Sequence, residues 1–342
     1  MERIILDVDS AGDDILAILF AAAHPQIRLE AVTTVTGAAG PIEQVTGVAL
    51  ATLRLAGRDD VPVHAGAWRP IVGHPKADLA APVHFEKRLA ARFGDRLRKF
   101  NVPAPPPHRP VGPGHAVDLI LRTALAAPGE ITLVTTGPLT NVAMALLQEP
   151  RLARALKQLI VLGGTFTTPG NMTPVAEYNI WADPEAAQIV LTADLPKILV
   201  PLDVCEDNRV ADSMLTRDDL ADLEVEGGGH PVVAMLADRF PIYIDIWREF
   251  FGLVGFPMDD VITVALAVAP DLVTTTDPVF VEVVLAGGIA RGQTVAHRGR
   301  QILPGGGPET TRIATGLQGR RFLDLFKATL RRYRPAGEEA RP

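Results

Sequence analysis

Short apolar runs alternate with amphipathic stretches along most of this chain, and that alternation is the first constraint on its fold. Ile4-Ile5-Leu6 reads as a buried strand that stops at Asp7, and a Gly-containing turn leads into an apolar, Ala-rich helix from Ile15 to Ala23. Arg28 to Val35 predicts a second strand, Pro41 to Ala56 a helix with proline in its first turn, and Val61 to Ala65 a short strand. A mixed stretch follows, with a basic amphipathic patch from Glu86 to Lys99 and a proline-rich segment, Asn101 to Gly114, that predicts no regular element. Segments of that length are usually lids, binding loops or disordered.

The rhythm then resumes. Helices are expected at His115–Ala126, Asn141–Leu147, Pro184–Leu191, near Pro231–Phe251, at Asp260–Ala269 and at Arg320–Arg332. Strands are expected at Ile131–Thr135, Gln158–Leu162, Lys197–Val200, Pro278–Leu285 and Gly292–His297. This βα alternation predicts an α/β fold, an open, mostly parallel twisted sheet with helices on both faces, Rossmann-like in kind. With no internal repeat and no convincing linker, residues 1–333 are expected to form one domain, and 334–342 a frayed tail.

Composition narrows the class. The 342 residues are 47% hydrophobic, enough for a large core, and the net charge of −7 without a long basic run argues against a nucleic-acid surface. The chain opens directly on a strand, so no cleaved leader is expected, and no apolar run reaches the ~20 residues of a membrane span. A single cysteine, Cys205, excludes an internal disulfide framework and suits a reducing cytoplasm.

Candidate chemistry concentrates where strands end. Asp7, Asp9, Asp13 and Asp14 converge where the first strand gives way to the first helix, the edge at which open α/β sheets bind ligands. Two carboxylates ~5 Å apart repel by ~3 kcal/mol at an effective dielectric of ~20. A helix N-terminus offsets part of that, and a hard cation, calcium or magnesium, would offset more. Capping and a solvated turn would explain two such acids better than four. Thr136-Gly137-Pro138-Leu139-Thr140-Asn141, Gly163-Gly164, Gly170-Asn171, Glu177-Tyr178-Asn179, Asp183-Pro184-Glu185-Ala186-Ala187 and Asp259-Asp260 repeat the theme of a strand running into small, amide or acidic residues. Each alone is ordinary turn and capping chemistry. An EF-hand beginning at Asp7 would need Glu where Ile18 stands, and a dehalogenase-type phosphatase would want Thr or Val where Ala11 stands. The chain has no Gly-x-x-x-x-Gly-Lys phosphate loop.

Taken in order, these motifs resemble the nucleoside hydrolases of the inosine-uridine type, over nearly the whole chain. The opening is similar to that family's Asp-x-Asp-x-Gly-x-Asp-Asp pattern, with Ser10-Ala11-Gly12 in place of Pro-Gly-x. The resemblance implies calcium-dependent hydrolysis of a ribonucleoside to ribose and free base. It implies calcium ligands at Asp9, Asp14, the Thr136 carbonyl and Asp260, with Asp9 also the base that deprotonates the attacking water. It further implies that Asp13 grips the ribose 2′-hydroxyl, Asn179 the neighbouring hydroxyls, and Asn171 with Glu177 the 5′-hydroxyl. A homodimer or homotetramer acting on a small nucleoside is implied as well.

Two positions depart from the family pattern. Asp259 stands where many members carry a His that protonates the departing base, and Ala38 where an Asn usually faces the site. The remaining base-pocket candidates are His84, in the stretch read as flexible, Tyr178, and the pair Tyr243 and Trp247, which share a helix face at i, i+4 spacing. Such a pair is equally consistent with plain core packing. These departures leave a second reading, a nucleoside- or ribose-binding protein of the same fold that has lost efficient chemistry.

Overall fold

The computed structural model describes residues 1–72, 80–100, 102–299 and 306–333. Its strands are β1 (Glu2–Val8), β2 (Ile27–Thr34), β3 (Val63–Ala65), β4 (Ile131–Thr135), β5 (Gln158–Leu162), β6 (Lys197–Val200), β7 (Val273–Thr275), β8 (Phe280–Val283), β9 (Thr294–His297) and β10 (Thr311–Leu317). Eight of them form one sheet in the order β3-β2-β1-β4-β5-β6-β10-β7, parallel throughout except for β7, which runs antiparallel to β10 at one edge.

Side-chain alternation along β1 shows why its sequence is an unbroken apolar run. Ile4, Leu6 and Val8 enter one core with helices Gly12–Ala23, Ile42–Leu55, Pro231–Phe251, Asp259–Ala265 and Gly319–Leu330. Ile5 enters the opposite core with helices Ala116–Ala126, Thr140–Gln148 and Pro184–Leu191. A strand covered on both faces has no solvent side to make polar. Because β1 lies between β2 and β4, the chain leaves it toward one edge of the sheet and later returns to build the other. The carboxyl ends of β1 and β4 thus flank a topological switch point, where such sheets open a crevice.

Three expectations change. Pro278–Leu285 and Gly292–His297 do not extend the main sheet; their cores, β8 and β9, pair with each other as a separate antiparallel ribbon. The connection between them is too short for the helical crossover a parallel pair requires. The main sheet is completed instead by β10 and β7, which the sequence pattern did not reveal; β10 carries Arg312 and a glycine, Gly316, that blur its apolar signature. Finally, His84 falls within helix Ala80–Phe93 rather than in a loop, and its side chain lies outside the described residues, as does the 334–342 tail.

The basic patch has an internal partner. Helix Ala80–Phe93 and the 3₁₀ turn Gly94–Lys99 lie along helix Pro231–Phe251, where Arg92 pairs with Glu249, Arg96 with Asp245 and Lys99 with Asp238. Phe85 and Phe93 pack on Phe250 beneath these exposed pairs. The proline-rich segment is irregular but tethered: Gln44 exchanges hydrogen bonds with Val102 O (3.2 Å) and Ala104 N (2.8 Å), and Gly112 N donates to Val63 O (2.7 Å).

Candidate active site

The site is built at the switch point, beginning with the turn from β1 into helix Gly12–Ala23. Ser10 takes a left-handed conformation, φ 57°, unusual for a residue with a side chain, and this bends the chain sharply between Asp9 and the helix. Asp9 Oδ2 accepts the backbone N–H of Ala38 at 2.8 Å. That approach requires glycine at position 37, where a Cβ would lie 2.1 Å from the same oxygen. Asp14 accepts the N–H of Ala11 (2.8 Å) on one oxygen and the Thr136 hydroxyl (2.5 Å) on the other, tying the helix start to the loop after β4. The Asp13 carboxyl meets the backbone of Asp260 at the start of helix Asp259–Ala265.

Asp7, two residues before Asp9, has a different role. It points to the other face of the sheet, accepting from the Thr33 hydroxyl (2.5 Å) and from Asn141 Nδ2 (2.8 Å), while Asn141 Oδ1 accepts the N–H of Ala67 at 2.8 Å. Thr33 and Asn141 thus knit three segments around one buried acid. The sequence had grouped Asp7 with the other three acids.

Burial is the leading force on all of these carboxyls. It pushes Asp7 and Asp13 up to about 6 and raises Asp9, Asp14 and Asp260, the last two strongly, with mutual repulsion adding to the rise at Asp14 and Asp260. No described Lys or Arg forms an ion pair with any of them. The donors are all oxygen, from Asp9, Asp14, Asp260 and the Thr136 carbonyl, and this set fits a hard divalent cation. Among the described residues, however, no three His, Cys, Asp or Glu side chains already converge on one ligand point. Asp9 and Asp14 instead lie within hydrogen-bonding reach of each other.

A second group of acids lies farther out. Glu177 caps helix Tyr178–Ala182, accepting the N–H groups of Asn179 (2.7 Å), Ile180 (3.1 Å) and Gly164 (3.0 Å). Asn171 Oδ1 accepts the N–H of Tyr178 (2.9 Å), and Asn179 Nδ2 donates to the Thr136 carbonyl (2.9 Å). Asn171, Glu177 and Asn179, three of the four residues expected at the ribose, are therefore also bonded to backbone. The Tyr178 phenol is pushed up by burial and by the Asp9 and Glu177 carboxyls.

Glu206 was missed in the sequence. It follows β6 in Leu202-Asp203-Val204-Cys205-Glu206, the same strand-end acidic pattern that marked the other candidates. Its carboxyl accepts the Trp247 indole N–H at 3.4 Å and reaches Asn171. Burial pushes Glu206 and Glu177 up to about 7, and raises Asp259 well above the carboxylate range with Glu206, Asp13 and Glu177 adding to it. Tyr243 and Trp247 do share a face, their rings stacked 6.3 Å apart. Tyr243 is sealed among Phe100, Phe240 and Phe256, and its ring also lies where a Cβ on Gly12 would go, whereas Trp247 is half-buried and carries the bond to Glu206. At the departing Ala38, the backbone supplies the bond to Asp9.

Residues 4–324 match the model of the inosine-uridine preferring nucleoside hydrolases. The chain belongs to that family. It is an N-ribohydrolase, cleaving the bond between a ribose and its base with water. A pyrimidine-specific ribonucleoside hydrolase, RihA of Salmonella gallinarum, is 32% identical, with 96% of this chain and 98% of that one aligned. An uncharacterized Schizosaccharomyces pombe protein is 37% identical over 79% of this chain and 81% of its own. Among solved structures, the purine-preferring ribonucleoside hydrolase of Gardnerella vaginalis superposes with a TM-score of 0.81 at 28% identity, covering 96% of this hydrolase and 98% of that chain. Among the described residues of the hydrolase, no helix is long and apolar enough to cross a membrane.

Proposed function

We propose that this hydrolase cleaves the N-glycosidic bond of a ribonucleoside with the help of calcium and with Asp9 as general base. The observation that carries the reading is the gathering of Asp9, Asp14, Asp260 and Thr136, all buried, with the half-buried Asp13 at the switch point, without a cationic side chain paired to any of them. Asp9, Asp14, Asp260 and the Thr136 carbonyl would hold the ion, which when bound supplies the positive charge that makes a nearby water more acidic.

The chain's own groups do the rest. Asp9, held by the Ala38 N–H and by the absence of a Cβ at Gly37, takes the proton as the water oxygen attacks C1′. Asp13 orients the ribose through its 2′-hydroxyl, with Asn179 on the neighbouring hydroxyls and Asn171 and Glu177 toward the 5′ end. As the C1′–N bond breaks, its electron pair leaves with the base and positive charge grows on the sugar. The surrounding carboxylates stabilise that charge.

Asp9→Ala, assayed for ribose release on purine, pyrimidine and modified ribonucleosides in calcium, tests the reading. Turnover by the wild type and none by the variant, with circular dichroism unchanged, is the expected result. Equal turnover by the two proteins would remove Asp9 from the mechanism.

A further inference from the structure

The loop that carries Asn171 is held from outside itself. After β5 the chain turns at Gly163-Gly164, with Gly164 left-handed at φ 78°, and runs irregularly to Asn171. At its inner end the Thr294 hydroxyl, from β9, accepts the N–H of Thr165 (3.2 Å) and donates to the Thr165 carbonyl (2.9 Å). Farther out the partner is Asp203, which follows β6. Its Oδ2 accepts the N–H of Phe166 (2.9 Å) and the Thr165 hydroxyl (3.4 Å). Its Oδ1 accepts the N–H groups of Thr167 (2.6 Å) and Thr168 (3.3 Å) and the Thr167 hydroxyl. Three consecutive N–H groups thus close on one carboxylate, donors that an irregular segment would otherwise leave to water. A capping or turn aspartate bonds within a few residues of itself, whereas every one of these donors is 35 to 38 residues away in the chain. Asp203 serves the loop and not its own segment.

We propose that Asp203 is a positioning residue for the hydrolysis: by fixing the backbone of Phe166, Thr167 and Thr168 it sets where Asn171, three residues on, meets the ribose. The proposal rests on the reading above that puts Asn171 at the 5′-hydroxyl. Asn171 is then located by two anchors, Asp203 before it and the Tyr178 N–H, which its Oδ1 accepts at 2.9 Å, after it. Loss of the first leaves Asn171 bonded to Tyr178 but releases the residues that lead up to it. A misplacement of ~1 Å in such a contact can cost up to about 10²-fold. The effect is confined to the 5′ end of the sugar, because the other ribose groups stand on other elements: Asn179 on helix Tyr178–Ala182 and Asp13 on helix Gly12–Ala23. Asp203 acts through the loop, so its removal should be felt only by a substrate that has a 5′-hydroxyl to be placed.

A cycle between enzyme and substrate tests this. In calcium, kcat/KM is measured for inosine, uridine and their 5′-deoxy counterparts with wild type, Asn171→Ala, Asp203→Ala and Asp203→Asn. Calorimetric binding of the same four compounds, with each enzyme also carrying Asp9→Asn, reads the same preference where turnover is slow. Wild type is expected to favour the 5′-hydroxyl compounds by about 10²-fold. Asn171→Ala should lose most of that preference and Asp203→Ala should cut it about tenfold. Asp203→Asn keeps the shape and one acceptor oxygen and should cut it about threefold; it carries the test if circular dichroism shows the alanine variant unfolded. A loss shared equally by the 5′-hydroxyl and 5′-deoxy compounds would make Asp203 merely structural. That result, or a preference that Asn171→Ala abolishes and both Asp203 variants keep, would overturn the proposal and leave the ribose reading standing. No preference in the wild type, in turnover or in binding, would overturn both.

Discussion

Two groups of buried and half-buried acids meet in this site, and they are built in opposite ways. The inner group, Asp9, Asp13 and Asp14, is spelled out in one strand-to-helix turn, and only Asp260 comes from elsewhere. The outer group, Glu177, Glu206 and Asp259, is assembled from the ends of three separate segments, with Glu177 fixed by backbone N–H groups and Glu206 by the Trp247 indole N–H, while the buried Oδ1 of Asp259 has no hydrogen-bond partner. The inner group repels itself and matches the oxygen-donor chemistry of a hard ion. In the outer group, Glu206 is bonded to the half-buried Trp247 indole and Glu177 to backbone N–H groups.

The largest separation between the groups is expected in the chemistry step. Asp9→Asn should lower kcat by about 10³-fold, within the range for loss of a general base, with KM for the riboside little changed. A drop confined to KM in steady-state assays would mean that Asp9 only binds. Gly37→Ala sharpens the point, because its Cβ would lie 2.1 Å from Asp9 Oδ2 and force the carboxylate aside without removing it. A loss of about 10²-fold in kcat is expected from such a displacement, and full activity would show that the placement of Asp9 against Gly37 is unimportant.

Asn141→Ala probes the acid that belongs to neither group. It strips Asp7 of one donor in a fully buried setting and leaves Ala67 N unpaired, which should cost about 1–3 kcal/mol in urea unfolding. An unchanged midpoint would show that Asp7 is not held by this network.

The smallest effect is in pH. Asp7 sits at about 6 and Glu177 and Glu206 at about 7, all raised above their values in the unfolded chain. The native state then binds more protons than the unfolded state between about pH 4 and 7, so metal-free stability should fall as pH rises through that window. Urea midpoints at pH 5 and pH 8 check this, and a higher midpoint at pH 8 would contradict it.

The difference between the two groups also explains what could be read from the sequence. Asp9, Asp13 and Asp14 were legible because a buried strand, a turn and a helix start within a few residues leave little choice of where they point. The doubly covered sheet was legible from apolar runs such as Ile4 to Leu6. Glu206 was not, because its role depends on Trp247 and Asn171 arriving from other parts of the chain. Asp7 was grouped with the wrong neighbours because spacing alone does not show that Thr33 and Asn141 wait on the opposite face. The β8–β9 ribbon was placed in the main sheet for a similar reason: a strand's sequence does not name its partner. β10, with Arg312 and Gly316 in its run, carried too weak a pattern to be seen at all.

The account turns on the inner acids holding calcium for catalysis, and ribose release during a calcium titration of chelator-stripped enzyme tests that most directly. Activity should be absent in chelator and rise to saturation as calcium is restored, with Asp14→Asn needing far more calcium to reach half its maximum. Full ribose release in chelator, or an Asp14→Asn curve that overlays the wild type, would contradict it.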